Sequence, residues 1–309
     1  MTINKLEFLW RKTLLRSIWL FLFVTAASCS KKIGEFFPAP KSTKDSLIVI
    51  TGDGNHKAVV QYDLDGNFIK VITHFRGQNY TLRGLAAFDS SSFILSTDWT
   101  DTLFKINLSG EVSTFYGSNQ LSGAIYDVER GPDNRYYVIE SDRIEVFDSE
   151  GNRLSSTLIN TTIGACTLSG PRGLAFNSQG QLVVTNYTSG EILTYDVSRD
   201  TASCVSVVSL GNGPYGIVAH SNGKLYIGTF TDDQVYETDA DGSNAAAIYA
   251  ITNPTSLVEL PNGNLLVAGS TDDTVVQIKT DGTQVGTDPF IEDPLSLNIQ
   301  DMLIIEGEE

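Results

Sequence analysis

The sequence predicts an all-β fold, a six-bladed β-propeller. Three observations favour it: a recurring phrase, strand-like alternation within each copy, and a C-terminal segment that completes the first copy. The clearest copy covers residues 171–196, and others begin at Pro214 and Pro254, so the starts are 43 and then 40 residues apart. Self-similarity at a fixed period of this size is the sequence signature of repeat architectures. Four short strands fill such a period and make one blade of a propeller.

Each copy holds short apolar strands that are separated by turns rich in Gly, Asn and Asp. The second and third strands of the three clear copies are predicted at residues 182–185, 192–195, 225–228, 234–237, 265–268 and 275–278. Less regular copies begin near Leu82 and Ile125. With an incomplete unit at the start of the repeat region, the number of copies is six.

The first unit lacks its innermost strand. Residues 47–50 and 59–62 supply its second and third strands, and residues 294–306 resume the phrase at the other end of the chain. We therefore expect the C-terminal strand to complete the first blade and close the ring. An open array would instead need capping repeats.

The N-terminus predicts an export signal. Basic residues precede an apolar stretch at residues 18–24, and the small residues 26–28 then lead to Cys29. This is the order of a secretory signal, and the apolar stretch is too short for an ordinary membrane-spanning helix. The expected organisation is a lipoprotein signal peptide at 1–28, a tether at 29–44 and the propeller at 45–309.

The position of Cys29 resembles that of the lipidated cysteine in a bacterial lipobox. One position departs from that pattern, because Ala26 stands where Leu is usual, and the alternatives are an ordinary cleaved signal or a retained anchor. Ser30, in place of an acidic residue, resembles lipoproteins sorted to an outer membrane. We therefore expect a lipid-anchored protein of the bacterial cell envelope, at the outer membrane and facing the periplasm or the cell surface. Its contact with the membrane would be through the N-terminal lipid alone.

The charge of the chain excludes one class of partner. The formal net charge is −16 at pH 7. An acidic surface repels phosphate backbones, so we expect no nucleic-acid partner.

The recurring phrase has the form Pro-x-Gly-Leu/Ile-Ala/Val, then x-x-x-Gly-x-Leu-Tyr/Val-Val/Ile, then x-Ile/Val-x-x-Tyr-Asp. It resembles the NHL-repeat propellers and the related gluconolactonase-like and YncE-like groups over residues 45–309. The resemblance implies a six-bladed propeller and little about activity, since many functions share the fold. Asn186, Thr229 and Gly269 stand where NHL units usually have Asp, so that group's finer contacts do not carry over.

Propellers usually bind their ligands at the mouth of the central channel, on the face that carries the loops between second and third strands. The residues predicted to face this mouth are Arg83, Asp98, Trp99, Asp127, Glu140, Arg172, Asn186, Tyr187, Tyr215 and Phe230. The arginines suit a carboxylate or a phosphate, and the aromatic rings suit a ring or a sugar. The alternative is that the arginines pair with the acids of this set and only order the channel.

Two functions therefore compete. The first is a non-catalytic binding or scaffold module that takes a protein or a small ligand and needs no cofactor. The second, implied by the gluconolactonase resemblance, is a lactonase-like hydrolase, in which Glu140, Asn186 and either Asp127 or Asp98 would hold a divalent cation such as Ca²⁺ that activates water. The Glu-Gly-Pro phrase usual in the first inner strand of those enzymes does not occur. We favour the binding module.

Two further patterns favour structure over chemistry. Asp63-Leu-Asp-Gly-Asn67 and Asp239-Ala-Asp-Gly-Ser243 imitate the start of a calcium loop but lack its bidentate Glu, so we interpret them as hairpin turns. Cys166 and Cys204 fall in the same repeat, and an exported chain permits a disulfide between them. Two free structural thiols are the alternative.

Overall fold

The computed structural model describes residues 46–53, 57–98, 102–117, 121, 123–154, 158–197, 201–286, 289–292 and 298–307. The predicted signal peptide, lipidation site and tether, and also Trp99, lie outside these residues. The described part of the chain holds no helix with the length and hydropathy of a membrane span.

The regular elements of these stretches are strands, as predicted. They are β1 (Leu47–Gly52), β2 (Ala58–Tyr62), β3 (Phe68–His74), β4 (Thr81–Asp89), β5 (Ser92–Asp98), β6 (Thr102–Asn107), β7 (Val112–Tyr116), β8 (Ile125–Arg130), β9 (Tyr136–Glu140), β10 (Arg143–Phe147), β11 (Ile159–Asn160), β12 (Thr162–Ile163), β13 (Cys166–Thr167), β14 (Pro171–Phe176), β15 (Leu182–Asn186), β16 (Glu191–Asp196), β17 (Ser203–Ser209), β18 (Pro214–Ala219), β19 (Leu225–Thr229), β20 (Gln234–Thr238), β21 (Ala246–Ala250), β22 (Pro254–Glu259), β23 (Leu265–Gly269), β24 (Thr274–Ile278), β25 (Ile291–Glu292) and β26 (Ile299–Ile305).

Within the described residues the strands form six four-stranded antiparallel blades and one two-stranded hairpin, β12–β13. Blade 1 has the order β26-β1-β2-β3 from the inside outwards. Blades 2 to 6 begin with β4, β8, β14, β18 and β22 as their inner strands. The predicted six-bladed propeller is confirmed.

The predicted closure of the ring is confirmed as well. Strand β26 pairs with β1 from Leu47 opposite Ile305 to Gly52 opposite Ile299. The inner strand of blade 1 therefore starts at Ile299, a few residues after the Pro294 with which the sequence pattern began it. Thr255 of blade 6 reinforces the closure, since its hydroxyl donates to the Ile299 carbonyl over 2.8 Å.

The hydrophobic core is divided into clusters that each fill the seam between two neighbouring blades. The cluster between blades 6 and 1, for example, includes Ala268 of blade 6 and Ile50 of blade 1. Second strands lie between two seams, and β15 is buried at each of its five positions. This explains why these strands are continuous apolar runs, since alternation is lost when both faces are covered.

The loops fall on two faces. We call the face with the 2–3 loops and the blade-to-blade connections the mouth face, and the face with the 1–2 and 3–4 hairpins the turn face. The described chain both enters and leaves the propeller on the turn face, where Leu47 pairs with Ile305. There the Gly307 N–H donates to the Ser46 hydroxyl oxygen over 3.2 Å.

The hairpin β12–β13 lies between blades 3 and 4 and is tied to the outer strand of blade 4. Cys166 of β13 and Cys204 of β17 form a disulfide with Cα atoms 5.6 Å apart. Cys166 is fully buried in the seam between the two blades. The bridge therefore fastens an inserted hairpin to the outermost strand of blade 4.

Candidate functional site

The inner strands carry the same irregularity at the mouth face. Each pairs with its neighbouring second strand through a β-bulge located within its first few residues. The residues that these bulges leave out of the pairing, one for each blade from 1 to 6, include Gln300, Arg83, Tyr126, Arg172, Tyr215 and Thr255. We call these six residues the bulge ring. A bulge re-aims a side chain, and all six line the cavity at the channel mouth.

The cavity below the bulge ring is small. Its volume is about 40 Å³, which suits one or two water molecules. Sites that enclose a small molecule have roughly 300 to 1,000 Å³. A ligand of the mouth must therefore lie on the bulge ring and not within the channel.

One position deeper, blades 1 to 4 alternate between acid and glycine, with Asp301, Gly84, Asp127 and Gly173, whereas blades 5 and 6 have Gly216 and Ser256. Gly84 of blade 2 makes room for Asp127 of blade 3, since a Cβ at residue 84 would overlap the Asp127 carboxylate and lie 2.8 Å from the Val128 nitrogen. The Asp127 Oδ2 in turn accepts from the Leu174 N–H of blade 4 over 2.8 Å. Asp127 thus links blades 3 and 4 at the channel wall.

Asp301 plays the same part in blade 1. Its Oδ2 accepts from the Leu85 N–H of blade 2 over 2.7 Å, and its Oδ1 accepts from the Ser256 hydroxyl of blade 6 over 2.6 Å. The carboxylate therefore bridges three blades at the place where the ring closes.

Three acidic residues near the channel, Asp301, Glu129 and Asp127, have raised pKa values. Burial raises the pKa of Asp301 to about 6. Burial, and secondly the charge of Asp301, raises the pKa of Glu129 to about 8 and raises the pKa of Asp127 well above its ordinary value. Desolvation favours the neutral form of a carboxyl, and a nearby like charge does so again.

The two arginines of the bulge ring are held differently. Arg83 donates from Nη1 to the Gln300 Oε1 over 2.6 Å, and its Nη2 lies 3.3 Å from the Asp98 Oδ2. Arg172 stacks its guanidinium 3.8 Å from the centre of the Tyr126 ring and donates from Nη1 to the Pro171 carbonyl over 3.0 Å. Among the described residues Arg172 has no carboxylate partner.

An aromatic cluster adjoins Arg172. Tyr187, Tyr215 and Phe230 have ring centres between 5.5 and 6.3 Å apart, and the Tyr187 ring centre is 5.5 Å from the Arg172 guanidinium. All three rings are partly exposed. The hydroxyls of Tyr187 and Tyr215 make no hydrogen bond to another described residue. We call Tyr126, Arg172 and these three rings the aromatic–arginine sector, which spans blades 3 to 5.

Asn186 and Glu140 lie behind this sector and are buried. Asn186 is fully buried at the end of β15, where its side chain accepts from the Ser169 N–H over 2.6 Å and donates to the Thr167 carbonyl over 2.9 Å. Glu140 is 1% exposed at the end of β9. The structure therefore uses the Asn186 amide to fix the loop into blade 4.

Two of the three predicted metal ligands, Asp127 and Asn186, already have backbone partners. The carboxylate oxygens of Asp127 and the amide oxygen of Asn186 accept hydrogen bonds from backbone N–H groups. No group of three His, Cys, Asp or Glu side chains in the described residues has a geometry that fits a metal ion. In the turn that imitates a calcium loop, the Asp63 carboxylate accepts from the Asp65 and Asn67 N–H groups, as expected of a hairpin.

A larger concavity lies on the turn face between blades 3 and 4. It has a volume of about 500 Å³ and is lined in part by Asp133, Arg135, Tyr137 and Phe176. Its polar groups satisfy one another, because Tyr137 donates to the Asp133 carboxylate over 3.0 Å and the Arg135 Nε lies 3.6 Å from it. The pocket therefore has room for a small molecule, but its charged residues Asp133 and Arg135 already pair with each other.

The sequence missed Gln300, Thr255 and Asp301. An alignment of the C-terminal phrase from Pro294 places the inner strand before its actual start at Ile299. Aligning Ile299-Gln-Asp301 with Ile125-Tyr-Asp127 would have found Gln300 and Asp301, since the two segments share Ile-x-Asp at the bulge. Thr255 follows Pro254 as Arg172 follows Pro171, so the same alignment would have found it.

Comparison with solved structures places the chain among propellers. A chain of the nidogen/laminin complex aligns with a TM-score of 0.69 at 16% identity, over 85% of this chain and 100% of that one. A protein of unknown function from Bacteroides caccae gives 0.64 at 13%, over 84% and 98% of the two chains. Virginiamycin B lyase from Staphylococcus aureus gives 0.60 at 14%, over 86% and 94%. At these identities the likeness shows the fold alone, and no protein-family model and no curated protein matches the chain.

Proposed function

We propose that the chain is a non-catalytic binding module that takes a protein or a small ligand at the mouth face of its propeller. The observation that carries the proposal is the aromatic–arginine sector. It joins partly exposed rings, tyrosine hydroxyls without a partner among the described residues, and an arginine without a carboxylate. Aromatic residues and arginine are enriched at binding hot spots because they offer a large contact area together with a polar group.

The structural neighbours do not select between a binding module and an enzyme. The nidogen structure is of a complex with laminin, and the other named neighbour is a lyase. Both kinds of function therefore occur on this fold, so the choice depends on the side chains. We also propose a relationship to NHL-repeat, gluconolactonase-like and YncE-like propellers, which the Pro-x-Gly phrase supports. The glycine of this phrase has a structural reason in this chain, because an added Cβ at Gly173 or Gly216 would meet the backbone of the neighbouring blade.

We further propose that the module is anchored in the bacterial cell envelope through lipid on Cys29. The described chain enters the propeller on the turn face, which is opposite the mouth face. Mass spectrometry of the mature N-terminus tests the anchor: we expect a diacylated or triacylated Cys29, and an unmodified N-terminus at another residue would refute it.

A metal-dependent hydrolase has less support. Its cation would need Glu140, Asn186 and Asp127, and the last two are engaged with backbone groups. Titration calorimetry with Ca²⁺ tests this alternative. Binding that is lost in Glu140→Gln would favour the hydrolase over the binding module.

Site-specific photo-crosslinking in the producing cells tests the proposed function. A benzoylphenylalanine at position 187 samples the aromatic–arginine sector, and one at the exposed Ser149 samples the turn face as the matched control. We expect adducts from position 187, seen on gels for a protein partner or by intact mass for a small ligand. Adducts only from position 149, or from neither position, would contradict a binding site at the mouth.

A further inference from the structure

The difference between the two bulge-ring arginines indicates which of them is available to a ligand. Arg83 already contacts an amide oxygen and a carboxylate, those of Gln300 and Asp98. Arg172 makes one hydrogen bond within the described residues, to the Pro171 carbonyl, and no ion pair. A guanidinium has five N–H donors, so four of those of Arg172 remain for a ligand.

Tyr126 and Tyr187 fix how Arg172 presents these donors. The Tyr126 ring covers one face of the guanidinium at 3.8 Å, and Tyr187 flanks it at 5.5 Å. A guanidinium stacked on a ring keeps its edge free, and that edge forms paired hydrogen bonds with a planar oxyanion. The stacking also restricts the side chain before a ligand arrives, which lowers the entropy cost of binding.

An apolar surface continues from Arg172 through Tyr187. Tyr215 and Phe230 lie next to it with ring centres 5.5 Å apart. Burial raises the pKa of Tyr215, so its phenol stays protonated at neutral pH and can donate a hydrogen bond. The sector thus offers a planar anion site beside a surface for an aromatic ring.

We infer that the mouth recognises an aromatic carboxylate, with the carboxylate forked onto Arg172 and the ring against Tyr187 and Phe230. This inference rests on the proposed function and names the chemistry of its ligand. A carboxylate fits better than a phosphate because one guanidinium of the sector, that of Arg172, is available. A doubly charged phosphate would keep one of its charges without a partner there.

The group has two possible carriers, a free small molecule or the C-terminus of a peptide. The cavity of about 40 Å³ encloses neither, so both would present the carboxylate from outside. Phenylacetate represents the first carrier. A short peptide that ends in phenylalanine represents the second, and its C-terminal amide is the neutral control.

Saturation-transfer NMR titrations with the full-length chain in detergent micelles test the inference. For phenylacetate we expect a dissociation constant on the order of 1 mM, as is typical of a fragment of this size. Phenylacetamide and acetate should each bind about tenfold more weakly or worse, because the first lacks the charge and the second lacks the ring. Tighter binding of the peptide than of phenylacetate would identify a peptide terminus as the carrier, and weaker binding would identify a small molecule.

Variants of arginine assign the contact. Arg172→Gln should abolish the preference for phenylacetate over phenylacetamide, and Arg172→Lys should keep part of it, since lysine is a point charge without the fork. Arg130→Gln is the matched control, because Arg130 is an exposed arginine outside the sector. If Arg172→Gln does not fold, as judged by circular dichroism, the lysine variant carries the comparison.

Several results would overturn the inference. Equal binding of phenylacetate and phenylacetamide, or inorganic phosphate bound as tightly as phenylacetate, would contradict an aromatic carboxylate. An unchanged preference in both Arg172 variants would do the same. If these probes fail while crosslinking at position 187 yields adducts, the ligand class is wrong and the binding module stands; if both fail, the proposed function is wrong.

Discussion

Replacing the channel acid Glu129 by glutamine should stabilise the propeller by an amount that depends on pH. Glu129 and Asp127 lie on the same side of β8, and no hydrogen bond joins the Glu129 carboxylate to another described residue. Burial and then the charge of Asp301 raise its pKa from 4.5 to about 8. A carboxyl whose pKa is raised on folding weakens the fold as pH rises from the unfolded value through the folded one, because the unfolded chain ionises first.

The magnitude follows from that interval. From 4.5 to about 8, at about 1.36 kcal/mol per pH unit, the wild type would lose up to about 5 kcal/mol relative to the variant. Channel water screens part of this charge, so we expect a gain for Glu129→Gln of between about 1 and 5 kcal/mol at pH 9. The gain should shrink at pH 7 and vanish below about pH 4.5, where both states are neutral.

Urea denaturation at pH 4, 7 and 9 measures this gain as a difference in the free energy of unfolding. Glu150→Gln is the control, because Glu150 is exposed on the turn face and its loss should matter by less than about 0.5 kcal/mol at each pH. A gain for Glu129→Gln that is the same at all three pH values would refute the reasoning, since it would then come from packing and not from ionisation.

Three further changes have definite outcomes. Gly84→Ala should cost about 2–3 kcal/mol in chemical denaturation, because its Cβ would overlap a carboxylate of the next blade. Gly180→Ala adds a methyl with nothing within 4 Å and should cost about 1 kcal/mol from its positive φ alone. Equal costs for the two variants would contradict the packing at the channel. Replacing Cys166 and Cys204 by serine removes a disulfide between residues 38 positions apart and should lower the free energy of unfolding by about 4 kcal/mol. The stability of this variant should not change when dithiothreitol is added. A wild type that is equally stable with and without reductant would contradict this. Deleting residues 299–309 removes β26 and should abolish cooperative unfolding until a peptide of that sequence is added back; a cooperative truncated chain would show that the ring closes otherwise.

The fold was predictable because repetition averages out local ambiguity. A single strand such as β23 is a short apolar run whose sequence is compatible with several folds. Three aligned copies of a strand–turn–strand unit are compatible with only a few folds. The closure was predictable for the same reason, since the first repeat lacks an inner strand and the C-terminal segment supplies one strand of that kind. The precise start of β26 was not, because Pro294 offered a false alignment with the other copies.

The sequence predicts some of the side chains that line the channel mouth, such as Arg83, Arg172 and Tyr215, but not the contacts that they make. Arg83 and Arg172 occupy equivalent bulges, and nothing local in the sequence separates them. Arg83 is engaged by Gln300, which lies 217 residues away in the chain and meets it only because the ring closes. The sequence also predicts that Asn186 faces the mouth, whereas its amide is directed at the loop that it fixes. Roles of this kind depend on contacts between blades, which single-repeat patterns do not encode.

The central claim is that the aromatic–arginine sector is the binding face. A crystal structure of the chain grown with phenylacetate tests it most directly. We expect the carboxylate oxygens about 2.7–3.2 Å from the Arg172 guanidinium nitrogens, with the ring against Tyr187 and Phe230. Phenylacetate bound instead in the turn-face pocket beside Tyr137, with the mouth empty, would contradict the claim.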